Sequence, residues 1–310
     1  MKTKVICMKK IIILILLVIP MGLWAQQLPR YSQYMFNMIN INPAYTGNRE
    51  VPNVNMLLRR QWVNFPGAPF TGTFTFDKRV VETNNSWGAQ LYTDGIGIER
   101  TNGLQGFYAF SAPFENATLS IGTSFGVLNY SINYNRSNPY DAGDPSLQQS
   151  INGWLPSFGI GALYMRDRFY IGLSSPALLK TAINSRNQTL IRQAGYEGHF
   201  FLNSGYIFPI SELITLKPSI LLTAVSGAPI KADINMNVWL GNDLGFGISY
   251  RQKESVVGLL EYQLSPQLRI GYSYDHTTSR LGYYQNGTHE LMLRMEMGGA
   301  DKKLTSPRYY

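Results

Sequence analysis

The sequence lacks several features that define common classes of protein. It contains a single cysteine, which excludes a fold held together by disulfide bonds. Only 15% of its 310 residues are charged, and a basic nucleic-acid binder would carry more lysine and arginine. Aromatic residues reach 13%, with 20 tyrosines, which argues against a disordered chain. The chain is therefore large, weakly charged and rich in aromatic residues and glycine.

The first 25 residues have the layout of a secretory signal peptide. Four lysines precede the apolar run 11–19, and small residues follow it. The run holds about half of the roughly 20 residues that a membrane-spanning helix needs, so we expect cleavage between Ala25 and Gln26. Removal of 1–25, which contains Cys7, lowers the formal charge from +8 to +4. Because no later stretch is apolar enough for a spanning helix, the mature chain is either a soluble exported domain or an outer-membrane barrel.

Polar and apolar residues alternate along most of the mature chain, as they do in strands with two unlike faces. In 231–240, for example, Ile234 and Met236 share one face, whereas Asp233 and Asn235 share the other. Many candidate strands approach the 9 to 11 residues of a tilted transmembrane strand, and their even number fits an antiparallel barrel. The fourteen candidate strands are 54–63, 69–77, 86–93, 104–112, 116–129, 155–165, 168–175, 197–208, 213–224, 229–240, 243–251, 255–264, 266–276 and 287–297.

The connections between the candidate strands differ in length according to whether they follow an even-numbered or an odd-numbered strand. Those after the sixth, eighth, tenth and twelfth strands are very short, whereas four others are long. The long connections are Asp94–Gly103, Tyr130–Trp154, Pro176–Tyr196 and Thr277–Asn286. Outer-membrane barrels have short periplasmic turns and longer external loops, whereas a soluble sandwich has little reason for this sorting. We therefore predict an all-β fold, an antiparallel transmembrane barrel of about fourteen strands over 51–298, with both termini and a tail at 299–310 on the periplasmic side.

Several sequence motifs occur in order over the whole mature chain. In the first half they are Tyr31-Ser32-Gln33-Tyr34-Met35-Phe36-Asn37, Ile41-Asn42-Pro43-Ala44-Tyr45-Thr46-Gly47, Arg60-Gln61-Trp62-Val63, Phe65-Pro66-Gly67-Ala68-Pro69 and Phe169-Tyr170-Ile171-Gly172-Leu173-Ser174-Ser175-Pro176. In the second half they are Lys217-Pro218-Ser219, Val225-Ser226-Gly227-Ala228-Pro229, Gly247-Ile248-Ser249-Tyr250-Arg251 and Gln267-Leu268-Arg269-Ile270-Gly271-Tyr272. In these motifs the chain resembles the PorP/SprF family of type IX secretion-system membrane proteins of the Bacteroidetes.

The resemblance implies an outer-membrane barrel that works with other type IX secretion components, often in gliding motility. It also implies a non-enzymatic role in the secretion or surface anchoring of a secreted cell-surface protein with a type IX C-terminal domain, such as a gliding adhesin. One departure concerns the C-terminus, where Met297 and a polar tail replace the aromatic residue that ends many outer-membrane barrels. The residues themselves leave open a second function, that of a passive diffusion channel for small solutes.

Side chains suited to catalysis or metal binding are few. His199, His276 and His289 lie in different candidate strands without metal-ligand spacing, and no nucleophile elbow occurs. A lipid hydrolase, the third hypothesis, would need Ser249 or Ser273 beside one of these histidines. We predict no catalytic, cofactor-binding or metal-binding residues, no cofactor and no nucleic-acid partner. The lipid of the outer membrane is the remaining expected partner.

Two kinds of residue occur at the alternate strand positions whose side chains we expect to face the lumen, here called positions of inward parity. The first kind is charged and of both signs, and we expect these residues to pair with one another and close the lumen. A lining that selects solutes by charge is the alternative. These residues are Lys231, Asp233, Arg269, Asp275, Glu290, Arg294 and Glu296. Glycines at the same parity either leave room in the lumen or relieve curvature in the wall, and the sequence leaves both open. These glycines include Gly159, Gly161, Gly245 and Gly247.

Residues 26–50 are the part of the mature chain that a barrel explains least. They are too apolar for a free tail, and Asn42-Pro43 and Thr46-Gly47 mark turns. We predict an N-terminal periplasmic segment or plug, which either plugs or caps the periplasmic mouth or docks on a periplasmic partner. Our hypothesis is docking combined with partial plugging. The candidate partner-binding residues are Tyr31, Tyr34, Phe36 and Tyr45.

Overall fold

Fifteen β-strands make up most of the computed structural model, which describes residues 29–49, 51–134, 150–178, 198–226, 228–241 and 243–298. The strands are β1 (Asn53–Arg60), β2 (Phe70–Val80), β3 (Asn85–Ile96), β4 (Glu99–Phe114), β5 (Ala117–Ile132), β6 (Ile151–Arg166), β7 (Phe169–Ser175), β8 (His199–Tyr206), β9 (Phe208–Pro209), β10 (Ile214–Val225), β11 (Lys231–Leu240), β12 (Leu244–Arg251), β13 (Ser255–Gln263), β14 (Leu268–Thr277) and β15 (Thr288–Glu296). The predicted signal peptide 1–25 and tail 299–310 lie outside the described residues. In the described part of the chain, no helix is both long and apolar enough to cross a membrane.

The strands form one closed antiparallel wall. Each strand pairs with its neighbours along the chain, and β15 returns to pair with β1, where His289 lies opposite Arg60. Strands β8 and β9 both pair with β10 and are separated only by Ile207, so together they act as one strand of the wall. The wall therefore has fourteen strands, which confirms the predicted barrel. Closure leaves every wall strand paired on both sides.

The wall is apolar outside and polar inside, the reverse of a soluble barrel. On β11 the side chains of Ile234 and Met236 are 54% and 42% exposed, whereas Asp233 and Asn235 on the other face are buried. Trp239 breaks this rule on the inner face, where Arg269 and Lys217 lie over its ring at 4.3 and 5.0 Å from the centroid. Lipid acyl chains offer no hydrogen-bond partners to polar groups, so a surface that contacts them has to be apolar.

The core of the molecule lies inside the wall, and the N-terminal residues contribute part of it. The inward side chains of Leu57, Leu163 and Val257 are completely buried. They belong to one apolar cluster with Met38 and Ile41, which precede the first strand. The barrel thus encloses a packed interior that its own chain supplies, in place of an empty lumen.

Connections of different length mark the two ends of the barrel. Among the described residues, the short-turn end carries 81–84, 115–116, 167–168, 210–213, 241, 243 and 264–267. The long-loop end carries the described residues 61–69, 97–98, 133–134, 150, 176–178, 198, 226, 228–230, 252–254 and 278–287. By the rule for outer-membrane barrels, we expect the long-loop end to face the outside of the cell.

One predicted long loop, Asp94–Gly103, is wrong. Strands β3 and β4 continue through it to Ile96 and Glu99 and are joined by the tight turn Gly97–Ile98, in which Gly97 has a φ of +56°. The error has a physical reason, because the outward residues of this hairpin change from apolar to polar. Sequence alternation that relies on an apolar outer face ends where the strands leave the lipid.

Strands β3 to β6 are 12 to 16 residues long, and their polarity inverts toward the long-loop end. Toward the long-loop end their inward side chains are the buried Leu128, Tyr130 and Leu155. Their outward side chains include Asn129 and Asn152, whose amides share a hydrogen bond of 2.7 Å. An apolar inner face and a polar outer face are the pattern of a sheet in water, so this part of the strands lies outside the bilayer.

Candidate functional site: the segment inside the barrel

Residues 29–49, which we call the lumenal segment, run through the barrel from one end to the other. Arg30 lies at the long-loop end, where it pairs with Asp233 and Glu254. Arg49 lies at the short-turn end, where it pairs with Glu296. The segment thus fills the lumen as a plug would, but it is not confined to the short-turn mouth, because Arg30 lies at the opposite end. The physical reason is the polar interior of the wall, which supplies partners along the whole path.

Three short 3-10 turns give the lumenal segment its compact shape. They are Tyr34–Phe36, Met38–Asn40 and Pro43–Tyr45. The Asn42 side chain accepts a hydrogen bond of 2.9 Å from the backbone N–H of Ala44, and Pro43 occupies the first position of the turn. Asparagine before a turn and proline at its start are the local preferences of such N-termini. The Asn-Pro motif thus fixes the fold of the segment locally.

At the long-loop end, Glu290 holds the backbone of the lumenal segment. Its two carboxylate oxygens accept hydrogen bonds from the N–H groups of Ser32 at 2.8 Å and Gln33 at 2.7 Å. The Gln33 side chain in turn donates to the Glu290 carbonyl at 3.1 Å, and Arg59 donates to the same carboxylate at 3.0 Å. Glu290 has no exposed side-chain surface, so these charge-assisted bonds replace water completely.

The same end contains a wider network of paired charges around Asp275. Its carboxylate accepts hydrogen bonds from Arg59 at 2.8 Å, from Arg251 at 3.2 Å and from the Ser32 hydroxyl at 2.7 Å. Arg251 also donates to the carbonyl of Tyr31 at 3.1 Å. The wall therefore binds the segment through backbone groups as well as side chains. We call this set the long-loop-end network: Arg30, Ser32, Gln33, Arg59, Asp233, Arg251, Glu254, Asp275 and Glu290.

Glu254 lies in the connection between β12 and β13, at the edge of this network. Partial burial raises the pKa of its carboxyl group. The guanidinium groups of Arg30 and Arg251 and the Lys231 ammonium lower it by more, and the pKa lies below its usual value. Glu254 is therefore ionised at neutral pH and pairs with Arg30.

Midway along the barrel, glycines of the wall make room for the Asn42-Pro43-Ala44 turn. A Cβ atom on Gly122 would collide with Pro43 and Ala44, and one on Gly161 would collide with Asn42. Gly122 and Gly161 lie opposite each other on β5 and β6. The Asn42 amide donates to the carbonyl of Ala162 at 3.0 Å. At these positions glycine leaves room in the lumen, which decides between the two roles that the sequence left open for Gly161.

The other three inward glycines singled out from the sequence have different neighbours. A Cβ atom on Gly159 would meet Ser124 and Pro176, and one on Gly245 would meet the Trp239 ring at 2.9 Å. A Cβ atom on Gly247 would collide with the side chain of Asn237. These three glycines accommodate residues of the wall and its connections, and not the lumenal segment.

The four candidate partner-binding residues lie in the lumenal segment. Tyr31, Tyr34 and Tyr45 are buried inside the barrel, and Phe36 is half-buried against the same apolar cluster. The hydroxyl of Tyr34 accepts a hydrogen bond of 2.6 Å from Asn235, and that of Tyr45 accepts one of 2.7 Å from Asn203. In this structure the side chains bind the wall, so an external partner reaches them only if the segment leaves the lumen.

At the short-turn end, the charges around the lumenal segment are mostly positive. Arg294 contacts Glu296 at 3.4 Å beside Arg49, and Arg269 contacts Glu261 at 3.6 Å. We call this set the short-turn-end network: Arg49, Lys217, Glu261, Arg269, Arg294 and Glu296. Of the inward charges predicted from the sequence, all except Lys231 thus fall into two separate networks. Paired charges fill the lumen at both ends.

Three arginines of the long-loop-end network are absent from the inward charges singled out in the sequence. Arg59 and Arg251 have inward parity on β1 and β12, so the alternation that selected Asp275 and Glu290 could have found them. Arg30 follows no periodic pattern, because the lumenal segment contains no strand. Its position depends on the path of the segment, for which the sequence gives no signal.

Two of the three histidines lie on the opposite face of the wall from the inward serines. Ser249 and Ser273 are buried on the inner face, whereas His276 and His289 belong to the outer face of the wall. His199 is buried on β8 and stacks on Phe201. Among the residues that the structure describes, no three His, Cys, Asp or Glu side chains are grouped to hold a metal ion.

A model of the family described as type IX secretion system membrane protein PorP/SprF matches residues 23–295. The chain belongs to the PorP/SprF family. This membership makes it a membrane component of the type IX secretion system, which works with other components of that system. No curated protein sequence matches the chain.

Two solved structures illustrate the fold of this PorP/SprF protein. A Pseudomonas aeruginosa FadL homologue is similar with a TM-score of 0.50 and 11% identity, over 87% of this chain and 95% of that one. The Acinetobacter baumannii outer membrane protein Omp33 is similar with a TM-score of 0.48 and 10% identity, over 81% of this chain and 100% of that one. At such low identity the likeness concerns the fold alone, that of an outer-membrane β-barrel.

Proposed function

We propose that this PorP/SprF protein is a non-enzymatic accessory component that supports the secretion or surface anchoring of a partner protein. The partner is a secreted cell-surface protein with a type IX C-terminal domain, such as a gliding adhesin. The observation that carries this proposal is the occupation of the lumen by residues 29–49, together with the family. A barrel filled by its own chain is suited to holding a partner at one of its ends.

The long-loop end is the side on which we expect the partner to bind. Strands β3 to β6 extend there beyond the lipid, and their polar outer residues, such as Asn129 and Asn152, suit contact with water or protein. The proposed route to the membrane includes removal of residues 1–25 during export. The tail 299–310 is proposed to remain in the periplasm.

A direct role in partner binding remains a proposal for Tyr31, Tyr34, Phe36 and Tyr45. Their present contacts favour an indirect role, in which the segment shapes the lumen and the partner contacts the end of the barrel. The non-enzymatic role is supported by the separation of Ser249 and Ser273 from the outward histidines.

Planar-bilayer conductance and co-purification together test this proposal against a passive diffusion channel. The full mature barrel, purified from outer membranes, should give no steady ion conductance and should bring one large secreted protein with it. Steady conductance without such a partner would support the channel and reject the anchor.

As a second arm, deletion of residues 26–50 should abolish surface display of the partner, while a heat-dependent shift in electrophoretic mobility shows that the barrel still folds. Normal display by that variant would reject any role of the segment in partner support.

A further inference from the structure

A cluster of polar side chains interrupts the apolar outer face of the wall at the long-loop end. It consists of Arg60 on β1, His289 on β15, and Tyr272 and Tyr274 on β14. We propose that this cluster binds the phosphate headgroup of a lipid in the outer leaflet. The cluster faces away from the lumen, so the inference is independent of the proposed role in secretion.

Arg60 is the first part of the argument. Its neighbour Arg59 points inward and forms ion pairs with both Asp275 and Glu290. Arg60 points outward and is exposed, and its guanidinium makes no hydrogen bond or ion pair with any residue that the structure describes. An arginine on the lipid face of a barrel is costly at the membrane midplane and is tolerated near the interface. Arg60 is therefore placed at headgroup depth with its hydrogen-bond donors available.

His289 provides a second donor directly beside Arg60. The two residues are opposite each other in the pairing of β1 and β15. The Nδ1 atom of His289 lies 2.6 Å from the Tyr272 hydroxyl, and the Tyr274 ring contacts the imidazole edge-on at 5.2 Å. When the Tyr272 hydroxyl donates to Nδ1, Nε2 carries the proton and is available as a donor. Arginine and an oriented imidazole N–H match the oxygens of a phosphate group.

The surroundings identify a lipid as the source of the phosphate. Toward the middle of the membrane, the same strands present Leu58 and Leu291, the latter 56% exposed, which suits contact with acyl chains. Across β14, Gly258 lies opposite Tyr274, and a Cβ atom there would meet nothing within 4 Å. The outer face of the wall therefore has open space beside the polar cluster, next to Tyr274. Tyrosines at this depth are typical of a membrane interface.

Lipid binding to the full mature barrel in detergent micelles, measured by native mass spectrometry, tests the proposal. The probes are a bis-phosphorylated lipid A, the same glycolipid without phosphates, and inorganic phosphate. Wild type should bind the phosphorylated lipid at least about tenfold more tightly than the phosphate-free lipid, as expected for the loss of a charge-assisted contact. Arg60→Ala should lose that preference, His289→Ala should weaken it, and Arg60→Lys should retain part of it.

The matched control is Lys78→Ala, because Lys78 is an outward cation at the short-turn end of β2. This variant should bind the phosphorylated lipid as wild type does. A heat-dependent mobility shift confirms that each variant is folded. Equal binding by Arg60→Ala and wild type, or equal binding of both lipids, would overturn the proposal. Displacement of the lipid by inorganic phosphate at equal concentration would assign the cluster to a free anion and overturn the lipid assignment.

Discussion

The two ends of the lumen hold the lumenal segment in different ways. At the long-loop end, the fully buried Glu290 binds two backbone N–H groups and Arg59. At the short-turn end, Glu296 pairs with Arg49 and keeps 16% of its side-chain surface exposed. Charge-assisted hydrogen bonds that are shielded from water contribute more to stability than ion pairs that are exposed to solvent. The segment is therefore held by stronger non-covalent contacts at the long-loop end.

The two ends of the lumenal segment also differ in whether the covalent chain holds them in place. At the short-turn end the segment continues into β1 through Val51, so its position there is fixed by the backbone. At the long-loop end only non-covalent contacts keep it in place. Ordering a free chain costs about 1–2 kcal/mol per residue in backbone entropy, which those contacts must offset. The long-loop-end network thus supplies the stabilisation that connectivity does not.

The largest expected effect concerns which side of the membrane each end faces. A cysteine introduced by Pro29→Cys should react with a membrane-impermeant maleimide on intact cells, because the segment starts at the long-loop end. A matched cysteine from Glu115→Cys, in the exposed turn between β4 and β5, should react only after lysis. The native Cys7 lies in the predicted signal peptide and should give no background. Labelling of both variants, or of Glu115→Cys alone, on intact cells would contradict this arrangement.

The next effect compares the carboxylates at the two ends. Glu290→Gln should lower the free energy of unfolding by about 2–3 kcal/mol. The substitution removes one of the two buried carboxylates that pair with Arg59, which keeps Asp275, and it puts an amide N–H in place of one acceptor of a backbone N–H. Glu296→Gln should lower it by about 1 kcal/mol or less, because water reaches Glu296. Urea denaturation of the barrel in lipid vesicles, followed by tryptophan fluorescence, measures both. Similar losses for the two variants would show that the ends hold the segment equally.

The wall could be predicted from the sequence far better than its contents. All fourteen wall strands were expected, because lipid outside and polar groups inside impose a period of two on every strand. The same rule failed for Asp94–Gly103, where the sheet leaves the lipid and loses its apolar face. The path of residues 29–49 could not be predicted either. The three 3-10 turns show no regular alternation of polar and apolar residues. The contacts of the lumenal segment with Glu290 and Gly161 depend on the tertiary structure.

The smallest expected effect tests the middle of the lumen, between the two ends. Gly161→Ala should destabilise the barrel by about 1–3 kcal/mol, because its Cβ would displace Asn42, which holds the turn and the carbonyl of Ala162. Gly258→Ala on the outer face is the matched control and should be neutral or slightly stabilising, since open space surrounds its Cβ and alanine costs less entropy than glycine in a strand. The urea midpoints of the two variants in vesicles provide the measurement. Equal midpoints would mean that Gly161 serves the curvature of the wall, and that only the ends of the lumen hold the segment.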